Sequence, residues 1–196
     1  PEQPAVILLH GGFGAWNHWV RNIPALETDF RVIVPDLPGC GDSDDPPARP
    51  DAESLAKILS AGLDLVLPED TRFDLVGFSF GGLLAGPVAR FQSRRVRSLT
   101  IVGTPILGLT TTGPANALVP VPPGLSPEEA APVYRGNLEK LMVHNPESVD
   151  ELAMTLHIQN MAKTRLRSRG IARRTIAADD LRGLSCRLGF IYGDGD

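Results

Sequence analysis

The sequence is poor in the features that would commit it to several large classes of protein. It has two cysteines, Cys40 and Cys186, far apart and in no metal-ligand spacing. That excludes a disulfide scaffold or a cysteine-rich metal module. Two buried free thiols are the expected state, with a single disulfide as the alternative. No apolar run approaches the ~18 residues of a membrane span. Basic residues are not in excess: 19 Lys and Arg stand against 23 Asp and Glu, for a net charge of −4. Nothing therefore drives general binding to phosphates, and nucleic acid is not an expected partner. Neither is a membrane. The N-terminus, Pro1-Glu2-Gln3-Pro4, has no charged n-region, no apolar h-region and no initiator Met. No secretory leader is visible, a cytoplasmic location is expected, and a fragment of a longer chain is one reading. There is no internal repeat and no low-complexity tract.

What is present is an ordinary globular balance over 196 residues, with 42% apolar and 21% charged residues, within the range of one domain. Ala5 to His10 is a continuous apolar run of strand length, as expected of a strand buried on both faces in a parallel sheet. Trp16 to Leu26 has apolar residues near helical spacing, but Pro24 predicts a short or kinked helix. Phe30 to Val34 reads as a second buried strand, followed by a Gly/Pro/Asp loop to Pro50. From Asp51 a capping sequence leads into an amphipathic helix through Leu55, Ile58, Leu59, Leu63, Val66 and Leu67, ended by Pro68. Phe73 to Phe78 and Val96 to Val102 read as the third and fourth strands, with a small-residue helix from Gly81 to Phe91 between them. Alternating strands and helices predict an α/β domain with a mostly parallel sheet and helices on both faces.

After Pro105 the rhythm breaks. Ile106 to Leu125 has no clear element; Ser126 caps a predicted helix to about Val143, and Ser148 opens another that ends near Arg169. Ala172 to Leu181 holds a short third helix, and Cys186 to Tyr192 a fifth strand. The expected organisation is a core in residues 1–105, a helical excursion over one end of the sheet in 106–181, and the core again in 182–196.

In open α/β sheets, ligands bind beyond the carboxyl ends of the strands. Three strands deliver suggestive residues there: His10-Gly11-Gly12-Phe13-Gly14, Gly77-Phe78-Ser79-Phe80-Gly81 and Gly193-Asp194-Gly195-Asp196. The middle one is Gly-x-Ser-x-Gly between a strand and a helix, which puts Ser79 on a tight turn with its hydroxyl raised above the sheet edge. A serine nucleophile needs a base, the base an orienting carboxylate, and the oxyanion two aimed N–H donors. The first loop and the amide after Ser79 can supply donors, and the last loop a carboxylate.

On these motifs the sequence resembles the α/β-hydrolase fold family, in its cap-bearing serine esterase and C–C hydrolase branch. His10-Gly11-Gly12 looks like the family's oxyanion loop, Asp36-Leu37-Pro38-Gly39-Cys40-Gly41-Asp42-Ser43 like its Asp-x-x-Gly-x-Gly-x-Ser loop, and Gly77 to Gly82 like its nucleophile elbow. Gly193 to Asp196 resembles the loop of the triad acid, and the 106–181 insertion the helical cap. The resemblance implies Ser79 as nucleophile and Asp196 as acid, with Asp194 as alternative. It implies an oxyanion hole from the N–H of Phe80 and that of Gly12 or Phe13. Phe78 and Trp16 are expected in an apolar substrate pocket with Phe13 and Phe80, plain core packing being the other reading. His10 is expected to shape its loop by hydrogen bonding, and Asp36 to bind nearby amides.

The resemblance also puts a base histidine after the acid, whereas His10, His18, His144 and His157 all lie upstream. With the N-terminal hairpin also apparently missing, the expectation is a fragment of a protein of roughly 260–290 residues, inactive in isolation. A truncated non-catalytic paralogue is the alternative. The implied activity is acyl-enzyme hydrolysis of a small, largely apolar carboxylic ester or related acyl compound. C–C cleavage of a ring-fission product, perhydrolysis, or a binding role without catalysis are the alternatives. Epoxide hydrolases and dehalogenases of this fold carry Asp at the elbow, and Ser79 argues against both. No cofactor or metal is implied, the partner is a small-molecule substrate, and the oligomeric state is left open. Lys163, Arg165, Arg167, Arg169, Arg173 and Arg174 read as a solvated face, or else one arginine reaches a substrate carboxylate.

Overall fold

A computed structural model describes residues 3–105, 118–172 and 177–194. It contains two compact units, one of Pro1–Leu109 with Thr164–Asp196 and one of Thr110–Lys163.

The first unit is built on a sheet. The β-strands are β1 (Ala5–Leu9), β2 (Arg31–Ile33), β3 (Phe73–Phe78), β4 (Val96–Val102) and β5 (Arg187–Ile191). All neighbours run parallel, in the order β2-β1-β3-β4-β5. Every residue of β1 is buried, as its unbroken apolar run requires when both sheet faces are covered. Leu75 of β3 lies between Ile7 and Leu99 in register, and all three are fully buried. Burying each such side chain contributes about 1.5–3 kcal/mol. The expected burial of the second strand does not hold. β2 is three residues long, and its side chains are exposed or half-buried because β1 is its one strand partner among the described residues. The fifth strand also has an open flank, with Phe190 and Ile191 about half exposed.

The helices of this unit are α1 (Ile23–Leu26), α2 (Ala52–Val66) and α3 (Phe80–Phe91), with α6 (Ser168–Ala172) and α7 (Ala177–Leu181) near the end of the chain. Trp16–Trp19 forms only a 3-10 turn, and α1 begins afresh at Ile23 with Pro24 in its first turn, where the missing N–H costs no bond. Asp51 caps α2: its carboxylate accepts from the Ser54 amide at 2.8 Å, and Ser54 Oγ accepts from the Asp51 amide at 2.9 Å. The buried stripe Leu55, Leu59 and Leu63 then faces the core. In α3 every residue from Phe80 to Ala89 is buried, so its small residues carry close packing on all sides. Leu166 and Ile171, on either side of the start of α6, are buried in the same core.

The second unit contains α4 (Pro127–Leu141) and α5 (Glu151–Lys163). Ser126 and Glu129 form a reciprocal cap on α4. The Asn137 side chain bonds both backbone groups of Val119, at 2.8 and 3.0 Å. The last long helix starts at Glu151 rather than Ser148, because Asp150 takes the capping role and accepts from the Ala153 amide at 2.9 Å. It stops at Lys163, short of the expected Arg169. Among the described residues no helix is long and apolar enough to cross a membrane, and both cysteines are free, Cys40 buried and Cys186 half-buried.

Candidate active site

The site grows out of the register of three strands. Gly77 pairs with Leu9 and Phe78 with Val102, so β1, β3 and β4 end level with one another. Ser79 continues the ladder by one bond, its N–H reaching the Val102 carbonyl at 2.8 Å. The backbone then turns sharply into α3, and Ser79 takes φ +50° and ψ −114°. This left-handed region is costly for a residue with a Cβ. Among the described residues two other non-glycines have positive φ, Arg49 and Phe13, and Phe13 lies in the loop after β1.

The glycines around Ser79 are there because nothing larger fits. A Cβ on Gly77 would lie 2.6 Å from the Gly82 Cα, and one on Gly81 would lie 2.5 Å from the His10 carbonyl oxygen. One on Gly82 would collide with Thr104 Oγ1. Thr104 donates to the Ser79 carbonyl at 2.9 Å, which also accepts from the Gly82 amide at 3.0 Å. Tyr192 in turn donates to the Thr104 carbonyl at 2.6 Å. The turn that carries the serine is thus held from α3, from the end of β4 and from the residue after β5.

The loop after β1 lies against this turn. A Cβ on Gly11 would lie 2.9 Å from the Phe78 ring and 3.4 Å from Ser79 Cβ, and one on Gly12 would lie 3.7 Å from Phe80 Cβ. His10 fixes the loop. Its Nε2 can only accept from the Leu37 amide, at 2.9 Å, so the proton sits on Nδ1, which donates to the Gly11 carbonyl at 2.8 Å. Burial lowers its pKa, and the ring is neutral with both nitrogens used. The loop after β2 is tied in by Asp36, whose carboxylate accepts from the Trp16 amide at 2.7 Å and the Asp42 amide at 2.9 Å. The backbone N–H groups of Gly12, Phe13 and Phe80 make no hydrogen bond among the described residues. Three orphan donors therefore lie on two segments in contact with each other, beside the serine.

The remaining expected residues are placed as follows. Phe78 is half-buried, with its ring edge-on to His18 and Trp19, at centroid distances of 6.0 and 6.4 Å. Trp16 is 45% exposed and joins the site's frame through its backbone. Phe13 is half-buried, with the Arg169 guanidinium 5.7 Å from its ring centre. Asp194 is exposed, and Asp196 lies outside the described residues, as do Arg173 and Arg174. His18 packs on Gly14. His144 is exposed and His157 buried, both in the second unit. Of the basic cluster, Arg165 braces the loop after β2, donating to the Asp45 carboxylate and the Ser43 carbonyl. Burial, with Asp36 nearby, pushes the Cys40 thiol up to about 11, which leaves it protonated at neutral pH.

Two contributions escape sequence reading. Thr104 follows β4 with no motif around it, yet it carries the Ser79 carbonyl. Ser168 is 4% exposed and meets Gly12 from a segment about 150 residues further along the chain. A cavity of about 580 Å³ lined by Asp64, Gln92 and Arg95 lies at the other end of the strands. Its polar groups bond one another, as in Arg95 to Asp64 at 2.6 Å and Gln92 to Ser60 at 2.7 Å, and it is remote from Ser79.

The sheet order, the strained strand-to-helix serine and the glycine-bounded turn define an α/β-hydrolase architecture. The chain belongs to the alpha/beta hydrolase fold family, whose model matches residues 4–180. It is 37% identical over 127 residues to a pimeloyl-acyl-carrier-protein methyl ester esterase of Aromatoleum aromaticum, covering 64% of this chain and 46% of that one. It is 34% identical over 137 residues to bifunctional epoxide hydrolase 2 of Sus scrofa, covering 67% and 22%. The solved structure of a meta-cleavage product hydrolase from Pseudomonas fluorescens superposes with a TM-score of 0.74 at 25% identity, covering 98% of this chain and 73% of that one. The chain spans less than half the length of these curated relatives.

Proposed function

We propose that the protein is a serine hydrolase that works through an acyl-enzyme on a small, largely apolar carboxylic ester or related acyl compound. The observation that carries this reading is the conjunction at one point of a strained Ser79 and three uncommitted N–H donors. In the proposed reaction Ser79 Oγ attacks the acyl carbon. The carbonyl oxygen takes up negative charge facing the N–H of Phe80 and that of Gly12, with Phe13 as the alternative. Phe80 is the first residue of α3, so its amide carries the positive end of the helix dipole. The base takes the Ser79 proton during the attack and passes it to the alcohol oxygen as the acyl C–O bond breaks; this leaves an ester on Ser79, which water then cleaves to the acid and the free serine.

The base is a histidine oriented by Asp196. His10 is not proposed for it, because both its nitrogens are engaged and its pKa is depressed. Phe13, Phe78, Phe80 and Trp16 are proposed for the apolar acyl pocket, and the 106–181 insertion for the cap. An elbow serine favours the acyl-enzyme route over epoxide opening, for which the family resemblance implies Asp at that position. C–C hydrolysis of a ring-fission acid is the second reading. The Pseudomonas fluorescens relative supports it, as does the cation held over Phe13 by Arg169.

The test is labelling with a fluorophosphonate, followed by a panel of p-nitrophenyl esters of increasing acyl length. The intact natural protein is expected to label at Ser79, and Ser79→Ala to abolish labelling. An intact, folded protein that does not label is a binding protein on this fold.

A further inference from the structure

The segment that opens α6 meets the loop after β1 at two successive residues. Arg169 lies over the Phe13 ring, and Ser168 abuts Gly12. A Cβ built on Gly12 would stand 2.7 Å from Ser168 Oγ, so the hydroxyl occupies the space that glycine leaves open beside its own backbone. Ser168 is 4% exposed. Among the described residues its hydroxyl makes no hydrogen bond, and it is not one of the fully buried atoms left without a partner, so it keeps an opening to solvent through which a ligand atom can reach it.

The segment is also held firmly. The amides of Arg165 and Leu166 donate to the Gly39 carbonyl at 2.8 and 3.1 Å, and Leu166 and Ile171 are anchored in the core on either side. The Ser168 hydroxyl is therefore fixed in place, uncommitted, and next to two uncommitted backbone donors. Gly12 brings it there without a side chain of its own in the way, and Phe80 Cβ is 3.7 Å from the same point.

We propose that Ser168 is a further catalytic residue of the site, its hydroxyl donating a hydrogen bond to the acyl oxygen beside the N–H groups of Gly12 and Phe80. No bond to Ser168 is made or broken. The proton stays on Oγ, and the hydrogen bond strengthens as the carbonyl oxygen becomes an oxyanion. Such a donor discriminates among substrates by charge development rather than size. It favours acyl groups whose carbonyl oxygen becomes fully anionic over those that react without an oxyanion.

This inference rests on the serine hydrolase reading, and the experiment separates the two. In the intact protein, fluorophosphonate labelling at Ser79 is measured first, then kcat, KM and the inhibition constant of a trifluoromethyl ketone, which forms an oxyanion adduct with a serine nucleophile. Ser168→Ala is expected to lower kcat about 10- to 100-fold with KM within threefold, and to weaken the ketone by the same factor. Ser168→Thr, which keeps the hydroxyl, is expected to retain most of both. Ser168→Val, of the same shape as the threonine variant but without the hydroxyl, is expected to match Ser168→Ala and, compared with Ser168→Thr, serves as the test if alanine at this position unfolds. If Ser79 labels but Ser168→Ala and Ser168→Val stay within twofold of the parent in kcat and ketone affinity, Ser168 is packing and the proposal falls alone. If Ser79 does not label, both fall.

Discussion

Replacing Ser79 by glycine is expected to make the protein more stable than replacing it by alanine. Both substitutions remove the hydroxyl, so their difference isolates the Cβ. Both keep the backbone bonds that hold the turn, from the Ser79 amide to Val102 and to its carbonyl from Gly82 and Thr104. At φ +50° and ψ −114° a Cβ is strained, at a cost of about 1–3 kcal/mol. Glycine removes that strain but gives the unfolded chain more freedom, which costs about 0.4–1 kcal/mol. The balance favours Ser79→Gly over Ser79→Ala by about 1–2 kcal/mol. For a chain of this size each kcal/mol moves Tm by about 2–4 °C, so the glycine variant should melt about 3–6 °C above the alanine variant. Calorimetry and urea titration of the two variants measure it. A glycine variant no more stable than the alanine variant would refute the claim that Ser79 holds stored strain. It would also remove the reason for reading this turn as preorganised.

Two further outcomes concern Gly82 and the buried histidines. Gly82→Ala drives a Cβ into Thr104 Oγ1 and to 3.0 Å from the Gly77 carbonyl, and is expected to cost about 2 kcal/mol or more in urea unfolding, with loss of Ser79 labelling. His10 and His157 both have pKa values pushed below the ordinary 6.5 by burial, so the unfolded chain binds more protons than the folded one below that pH. The stability of the neutral rings is complete above about pH 6.5 and is lost as pH falls toward the folded values, by up to about 1.4 kcal/mol per pH unit for each ring. Urea midpoints between pH 7.5 and 5 should therefore fall less steeply for His10→Asn than for the parent, and equal slopes would count against the neutral, buried imidazole.

Much of the frame was legible because its signals are local. The run Ala5 to Leu9 has no polar residue, and β1 is buried throughout. Asp51 and Ser54 announced the start of α2, and both halves of that cap are made. Pro24 broke the first helix, as its ring and missing N–H require. β2 was misread for an equally physical reason: its apolar run resembles that of β1, but burial depends on how many neighbours a strand has, and its own sequence does not record that. The site divides along the same line. Gly77, Ser79, Gly81 and Gly82 lie within six residues and are joined by one turn, so their pattern could be read. The restraint on the Ser79 carbonyl comes from Thr104, and the contact on Gly12 from Ser168, across most of the chain. No periodicity or short motif encodes such meetings.

Several departures from ordinary folding rules gather at one edge of the sheet. Ser79 and Phe13 hold positive φ, and the amides of Gly12, Phe13 and Phe80 have no partner, all at the carboxyl ends of β1 and β3; Arg49 also holds positive φ, and the buried Trp19 Nε1 and His157 Nε2 also have no partner. Many other polar groups of the first unit are satisfied. His10 uses both ring nitrogens, Asp36 both carboxylate oxygens, and Arg95 is bonded to Asp64, Thr71 and Pro68. A fold able to complete a guanidinium at one end of its sheet could complete an amide at the other. Strain and unmet donors at one edge mark where the structure is matched to something other than itself. The three unmet amides beside Ser79 are hydrogen-bond donors, so the partner they lack is an acceptor. It lies within reach of a serine hydroxyl, and an acyl oxygen gathering negative charge meets both conditions.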